Sequence, residues 1–426
     1  MAIVALSLII AGCGIPVVPP TEQDETSSLT KGTFGSTIYV DSSYPGVGDG
    51  QVASPFTTIQ AALDDASNGD TIIVAAGTYT NDIWDSGLGI PAGYRITKSV
   101  TLLGAQAGND PAGITDRGGE SILVRTNGVP YSLYVSGITI DGFTFTSGGG
   151  SGGGRLVIGD DADNVAIKNC IIKDISGTDP HGVYVYPGAQ NALIEYNTFS
   201  NTASEAIAST GASNAVISHN YIDLCGSKGG IPAIQWMGHV GSNNIITYNY
   251  ISGMTNSNGI QYWGGPGANI SYNVIDGGNT MFDGIWLDAA ADGSTVSNNQ
   301  IFDTIYAGIN IRDGCTDAVI TYNDISACGT GVDVVGTITG IVINFNNIYG
   351  NDMGVANYYS TDIIDATYNW WGHASGPGGP DGRVNKQGKI IGKGDAVSAN
   401  VDWDPWLPQP VGHTPHHPVP PGLLNK

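Results

Sequence analysis

The sequence predicts an all-β solenoid, and three observations carry that expectation. The first is a phrase that recurs from about Val165 to Trp371: apolar, polar, apolar or aromatic, Asn, any residue, apolar. It reads VAIKNCI at 165–171, LIEYNTF at 193–199, VISHNYI at 216–222, IITYNYI at 245–251 and NISYNVI at 269–275. It continues as TVSNNQI at 295–301, VITYNDI at 319–325, VINFNNI at 342–348 and DATYNWW at 365–371. The second is the spacing of the anchoring asparagines, Asn169 to Asn369, which stays between 23 and 29 residues. The third is the alternation of β-branched and aromatic residues inside each phrase. A period in the twenties carried on alternating β-type residues belongs to stacked strands.

Composition agrees. A chain of 426 residues would ordinarily divide into several domains, but a solenoid grows in one dimension and escapes that rule. Charged residues make up only 12% and glycines number 63, which suits tight turns and small polar faces. A formal net charge of −23 excludes a nucleic-acid binder, whose surface must be basic, and an electrostatic hold on anionic lipid.

Taken in order, the chain begins MAIVALSLIIAGCG. This apolar run is too short for a comfortable membrane span. Ile10-Ala11-Gly12-Cys13 resembles the lipobox of bacterial lipoproteins, which implies a signal segment over 1–13, lipidation of Cys13 and a membrane contact only through that anchor. Residues 14–35, rich in Pro, Ser, Thr and Glu, read as a flexible tether. Ser36 to Val40 is a first strand. Next, Ile59, Ala62, Leu63 and Ala66 recur at helical spacing, with Thr57 or Thr58 as cap and Asn68-Gly69 as stop. One amphipathic helix ahead of a strand solenoid covers the open end of the core. TIIVAAGTYT at 71–80 and SVTLLGA at 99–105 are the first coils, and ITIDGFTFT at 138–146 is another, with Gly142 where later coils carry Asn.

The order of capping helix, GDTIIVAAGTY and KSVTLLGA resembles the start of pectin-lyase-like proteins, and the resemblance covers about residues 36–408. It implies a right-handed parallel β-helix. SGGGSGGGR at 147–155 is then a glycine loop bulging from one coil. Each later coil carries a second strand that opens on Gly or Ala, as in GVYVY at 182, AIQWM at 233, GIQYW at 259, GIWLD at 284 and GINIR at 308. The distance from that residue to the next Asn is nearly constant, whereas the loop before it varies. Such insertions collect on one face of a repeat fold, often the binding face. Trp403 and Trp406 cover the far end. The segment 409–426 reads as a disordered Pro/His tail, its His413, His416 and His417 belonging to that tail.

Four cysteines besides Cys13 lack metal-ligand spacing and read as buried apolar residues, Cys315–Cys328 being the best-placed pair for a bridge. Asp160, Asp161 and Asp163 in GDDADN fit either a Ca²⁺ site or a plain turn, so no cofactor is required and Ca²⁺ is admitted.

Strand alternation places Gln235, Gln261, Trp286, Asn310 and Asp333 in one outward column, with Trp263, Asp288 and Arg312 beside it on consecutive rungs. With Asp283 just ahead of its strand, these residues form an expected sugar-binding face. Indole rings stack on pyranoses and polar groups take hydroxyl or carboxylate hydrogen bonds. The alternative is an ordinary outer sheet with an Asp288–Arg312 surface salt bridge.

The candidate catalytic residues are Asp179, His181 and Glu205. His181 and Glu205 lie 24 residues apart, one coil, so imidazole and carboxylate should be neighbours at a strand edge. Asp179-Pro180-His181 resembles the active-site motif of mannuronan C5-epimerases, which are also right-handed β-helices. The resemblance implies that His181 abstracts the sugar C5 proton while Asp179 and Glu205 shape the site. Where that family has a tyrosine three residues before the Asp, this chain has Ser176, leaving Tyr184 or Tyr186 as substitutes. The expected function is therefore an exported, monomeric, lipid-anchored cell-surface protein that binds or processes an extracellular polysaccharide by lyase, hydrolase or epimerase chemistry. The alternatives are a non-catalytic adhesion or assembly module and a β-helix accessory protein for metal-site maturation.

Overall fold

The structure is a computed structural model that describes residues 35–80, 95–125, 130–148, 152–153, 155–177, 180–226, 229–238, 240–379 and 392–412. The signal segment with Cys13, the tether up to residue 34, Asp179 and the three tail histidines lie outside these residues. The rest belongs to one compact unit, Gly35–Lys426.

Three parallel sheets of fourteen, eleven and eleven strands wrap one core. A representative coil contributes Leu193–Glu195 to the ladder sheet, Thr198–Ser200 to the middle sheet and Ile207–Ser209 to the groove sheet. The middle residue of each ladder strand points inward. Ile194, Ile217, Ile246 and Ile270 stack in register, each fully buried. Phe199, Ile222, Ile251 and Ile275 do the same in the middle sheet. Burying each such side chain contributes about 1.5–3 kcal/mol, and β-branched chains lose little rotamer freedom on a pleated surface. The core is thus a column of like residues repeated once per coil.

Each repeated phrase is two strands rather than one, because the chain turns a corner at its centre. The residue ahead of the ladder asparagine takes a left-handed conformation at Tyr196, His219, Tyr248, Tyr272, Asn298, Tyr322, Phe345 and Tyr368. The next residue is the asparagine, whose side chain is buried. Asn249 shows the pattern: its Nδ2 donates to Ile217 O at 2.9 Å and to Asn273 Oδ1 at 3.0 Å. Its Oδ1 in turn accepts from Asn220 N and Asn220 Nδ2, both at 3.0 Å. Every polar atom of the amide is used, which is what makes its burial tolerable.

The register moves the first rung of this ladder. Lys168 pairs with Glu195 and Ile171 with Thr198, so Cys170, not Asn169, stands opposite Asn197. Asn169 occupies the left-handed corner instead, at φ 52°, and Gly142 holds that corner one coil earlier, at φ 77°. A Cβ on Gly142 would sit about 2 Å from the backbone of Gln106 and Ala107, so only glycine fits.

Helix α1 (Ile59–Asp65) lays Ile59, Ala62 and Leu63 on the same core, with Thr58 Oγ1 accepting from Ala61 N at 3.2 Å as N-cap. Lys98 Nζ donates to Leu63 O and Asp64 O at its C-terminal end. At the far end Val401–Asp402 closes the ladder sheet on Ile364–Asp365, Trp403 is buried, and Trp406 packs 5.6 Å from it. Gly152–Gly153 of the glycine loop pairs antiparallel with Ser176–Gly177. The four described cysteines are buried and free, as their reading as small apolar residues requires, and Cys315 and Cys328 form no bridge. Cys315 follows a groove strand whereas Cys328 follows a middle strand, which puts them at different corners of the coil.

Candidate functional site

The groove sheet carries the candidate chemistry. Its strands open on Gly182, Ala206, Ala233, Gly259, Gly284, Gly308 and Gly331 because the stacking distance leaves no room for more. A Cβ at Gly284 would meet Gly308 O at 2.6 Å and Ile301 Cγ2 at 2.5 Å. The next residue faces inward and the one after it outward. The pairings Gln235–Gln261, Gln261–Trp286, Trp286–Asn310 and Asn310–Asp333 form one outward column, as the alternation requires. Outward does not mean exposed here. Gln261 is 7% exposed and Asn310 is 2% exposed, since the variable loops wall this face. Gln235 Nε2 donates to Gln261 Oε1 at 3.3 Å.

Within this face lies a cleft of about 380 Å³ lined by Asp283, Ile305, Tyr306, Asn310, Arg312, Gly329, Thr330 and Asp333. Asp283 lies two residues ahead of the strand Ile285–Leu287 and is 2% exposed. One of its oxygens accepts from Ala307 N at 2.9 Å, and its own N–H is donated to Asn258 Oδ1 at 3.2 Å. Burial pushes its carboxyl up to about 6, although the bonds from Ala307 and Asn310 and the charge of Arg312 pull the other way. Burial also raises Asp333, against the nearby Arg312 charge. Two carboxyl groups that hold protons unusually well therefore share a cleft with one guanidinium.

Arg312 does not bridge to Asp288 as the sequence alternative has it. Asp288 Oδ2 accepts from Trp286 Nε1 at 3.1 Å and its Oδ1 from Ala289 N at 2.7 Å. Arg312 lies over the Trp286 ring instead. Three buried atoms here have no hydrogen-bond partner among the described residues: Arg312 Nε, Asn310 Oδ1 and Trp263 Nε1. Tyr306, which the sequence reading passed over, is 57% exposed at the cleft lip, its ring stacked 5.0 Å from Phe282. An aromatic residue just ahead of a strand opening was its only sequence signal.

Nearer the N-terminus on the same face, His181 Nδ1 lies 2.7 Å from Glu205 Oε2. The one-coil spacing brings the two together as expected. Glu205 is buried, and burial raises its carboxyl, but the bonds from His181 and Ser204 and the imidazole charge outweigh this and leave it below the usual carboxylate range. The Tyr184 ring lies 5.0 Å from the His181 ring, and its hydroxyl is 3.1 Å from Thr210 Oγ1. Ser176 N donates to Ser147 Oγ at 3.0 Å, at the glycine loop. At about 4.8 Å per rung, Glu205 and Asp283 stand roughly 14 Å apart along the sheet. In the GDDADN turn, Asp163 Oδ1 accepts from Gln190 N at 2.8 Å. Among the described residues no group of three or more His, Cys, Asp or Glu side chains is placed to hold a metal ion.

Comparison with known proteins gives one sequence relative and several solved structures of similar fold. An uncharacterized protein of Bacillus subtilis (strain 168), YwoF, is 26% identical over 354 residues, 74% of each chain. Among solved structures, the A-module of the Azotobacter vinelandii mannuronan C-5 epimerase AlgE4 superposes with a TM-score of 0.50 at 16% identity, over 88% of this chain and 99% of that one. The catalytic unit of a GH87 α-1,3-glucanase from Streptomyces thermodiastaticus strain HF3-3 gives 0.56 at 13% identity, over 87% and 69%. At such identities the likeness is one of fold. The model of the right handed beta helix region matches residues 112–236 and 155–348. With a parallel three-sheet coil repeated along the described chain, the protein belongs to the right-handed β-helix family.

Proposed function

We propose that this chain is an exported carbohydrate-active protein that cleaves a polysaccharide laid across the groove sheet, with its acid–base centre in the Asp283–Asp333 cleft. The observation that carries the reading is the cleft itself: two carboxyl groups with raised proton affinity flanking the Asn310 amide, beside an exposed aromatic ring. Groups shifted by burial inside a concave polar site are where acid–base work is done. Asp283, protonated, gives its proton to the bridging glycosidic oxygen. The bond from that oxygen to the anomeric carbon breaks, a water adds to the carbon, and Asp333 takes the proton the water loses. One water is consumed and one reducing end appears. The lipobox-like Cys13 fits delivery to the cell envelope, where labelling by a fatty acid that Cys13→Ala abolishes would be the direct sign.

The test is release of reducing ends by the purified protein from a polysaccharide panel. Asp283→Asn and Asp333→Asn should each lower the rate by about 10²–10⁴ while leaving the fold intact. Full activity in both variants rejects this centre. Binding without turnover in the wild type supports the adhesion module instead.

A second reading rests on the 2.7 Å contact of His181 with Glu205. There, neutral His181, oriented by Glu205 and assisted by Asp179 and Tyr184, takes the C5 proton of a uronic acid in lyase or epimerase chemistry. Ultraviolet-absorbing unsaturated product or altered epimer content, lost in His181→Ala, would favour it over hydrolysis.

A further inference from the structure

We infer that the Asp283–Asp333 cleft takes a neutral pyranose unit rather than a uronate, with Tyr306 as the platform on which the sugar ring stacks. The inference deepens the proposed function and rests on it. Three features of the cleft carry it.

The first is hydrogen-bond bookkeeping among the buried orphan atoms. Asn310 Oδ1 is a buried acceptor with no donor among the described residues. Arg312 Nε, which also lines the cleft, is a donor with no acceptor among the described residues. A sugar hydroxyl donates and accepts, so a ring bearing several of them satisfies both kinds. A uronate differs from a neutral pyranose at C6, where a carboxylate that only accepts replaces a hydroxymethyl that also donates, so a ring placed with C6 at Asn310 satisfies this buried acceptor only in the neutral sugar.

The second is charge. Arg312 faces Asp283, Asp333 and the Trp286 ring, and no described salt bridge ties it to another group. With Asp283 protonated, the Arg312 guanidinium is balanced by Asp333 alone, and a uronate would add a negative group with no cation left to offset it, on a chain of net charge −23. Asp288, already bonded to Trp286 and Ala289, adds no positive partner.

The third is the platform. Phe282 backs the Tyr306 ring at 5.0 Å, while Tyr306 N donates to Phe282 O at 2.9 Å and Tyr306 O accepts from Thr330 N. The outer face of a ring held this way is free to stack on the apolar face of a pyranose.

The test is affinity electrophoresis of the full chain through gels containing xylan, galactomannan, soluble α- or β-glucan, polygalacturonate or alginate, with reducing-end assays on the same polymers. Retardation by at least one neutral polymer, and by neither polyuronate, is the expected result. Tyr306→Ala should weaken that retardation about two- to tenfold and Tyr306→Phe should retain it. Thermal melts that match the wild type show that both variants fold. If a polyuronate is cleaved in an Asp283-dependent manner, the neutral assignment falls while the proposed centre stands. If Tyr306→Ala, folded, binds as well as wild type, the platform falls. If no polymer is retarded or cleaved, the inference and the proposed function fall together.

Discussion

The guanidinium carbon of Arg312 lies 4.5 Å from the centroid of the Trp286 ring, one rung along the groove sheet. The ring is itself held by the bond from its Nε1 to Asp288, so Trp286 and Asp288 together orient the cation that lines the cleft. Such a contact is worth about 0.5–2 kcal/mol, more as water is excluded. Trp286→Ala should release Arg312 and lower kcat/KM on the active polymer roughly three- to thirtyfold. Trp286→Phe keeps the π face and should lie within about threefold of wild type. Equal losses in the two variants would mean that the indole N–H, not the ring, is what matters.

His181 and Glu205 give a prediction that does not depend on catalysis. Hydrogen bonds from His181 and Ser204 keep the buried Glu205 carboxyl below its ordinary value. A carboxylate shifted down on folding stabilises above its unfolded value, and that stability is lost as pH falls through the folded one. In His181→Ala the burial remains and the partner is gone, so the shift should reverse. Wild-type stability should rise as pH climbs from below the ordinary glutamate value to just above it, about pH 5. The variant should instead lose stability as pH rises above about 4, by about 3 kcal/mol at pH 7. Parallel melting curves for the two proteins across this range would show that the pair is solvated rather than coupled.

The asparagine ladder sets the stability of the coil. Asn273 Nδ2 donates to Ile246 O at 2.9 Å and to Asn299 Oδ1 at 3.0 Å, and its Oδ1 accepts twice from Asn249. Asn273→Ala strands these partners in a dry corner and should cost about 2–5 kcal/mol by denaturant titration. The neighbouring corner offers the opposite change. Tyr248 stacks on Tyr272 at 4.8 Å and Tyr322 on Phe345 at 5.6 Å, but Asn298 interrupts the run between them. Asn298→Tyr should join the two stacks and stabilise by about 0.5–1.5 kcal/mol. These rings lie face to face, so they present edges outward and make a poor sugar platform.

The same ladder explains what the sequence could reveal. A 23–29-residue repeat fixes the coil, the outward column from Gln235 to Asp333 and the meeting of His181 with Glu205, because strand pairing converts sequence offset directly into spatial offset. It misleads where a corner shifts by one residue, as at Asn169, since the left-handed residue and the ladder residue can both be asparagine. Side-chain fate is less legible. An Asp at the same position as an Arg on the next rung reads as a salt bridge, yet Asp288 turns to the indole and backbone nearest it. Burial of Asn310 and Gln261 on an outward column comes from loop walls whose heights no periodicity encodes. Tyr306 belongs to such a loop, and so was invisible to a reading built on strands.

Asp283 yields the sharpest pH test. Its carboxyl is raised to about 6 by burial, so the folded protein holds this proton more tightly than the unfolded chain does. Below about pH 4 both states are protonated and the group contributes nothing. As pH climbs from about 4 to 6 the folded state loses stability relative to the unfolded one, and above 6 the penalty is complete. Asp283→Asn removes the charge while keeping an oxygen to accept from Ala307 N. The variant should therefore gain on the wild type through this window, up to about 3 kcal/mol at pH 7. In activity the same proton has the reverse value: as general acid, Asp283 works while protonated, so kcat/KM should fall tenfold per pH unit above about 6. Asp283→Asn should be more stable at neutral pH and nearly inactive. An activity profile flat from pH 5 to 8 beside an intact stability difference would leave Asp283 buried for structure alone and move the acid to another group in the cleft.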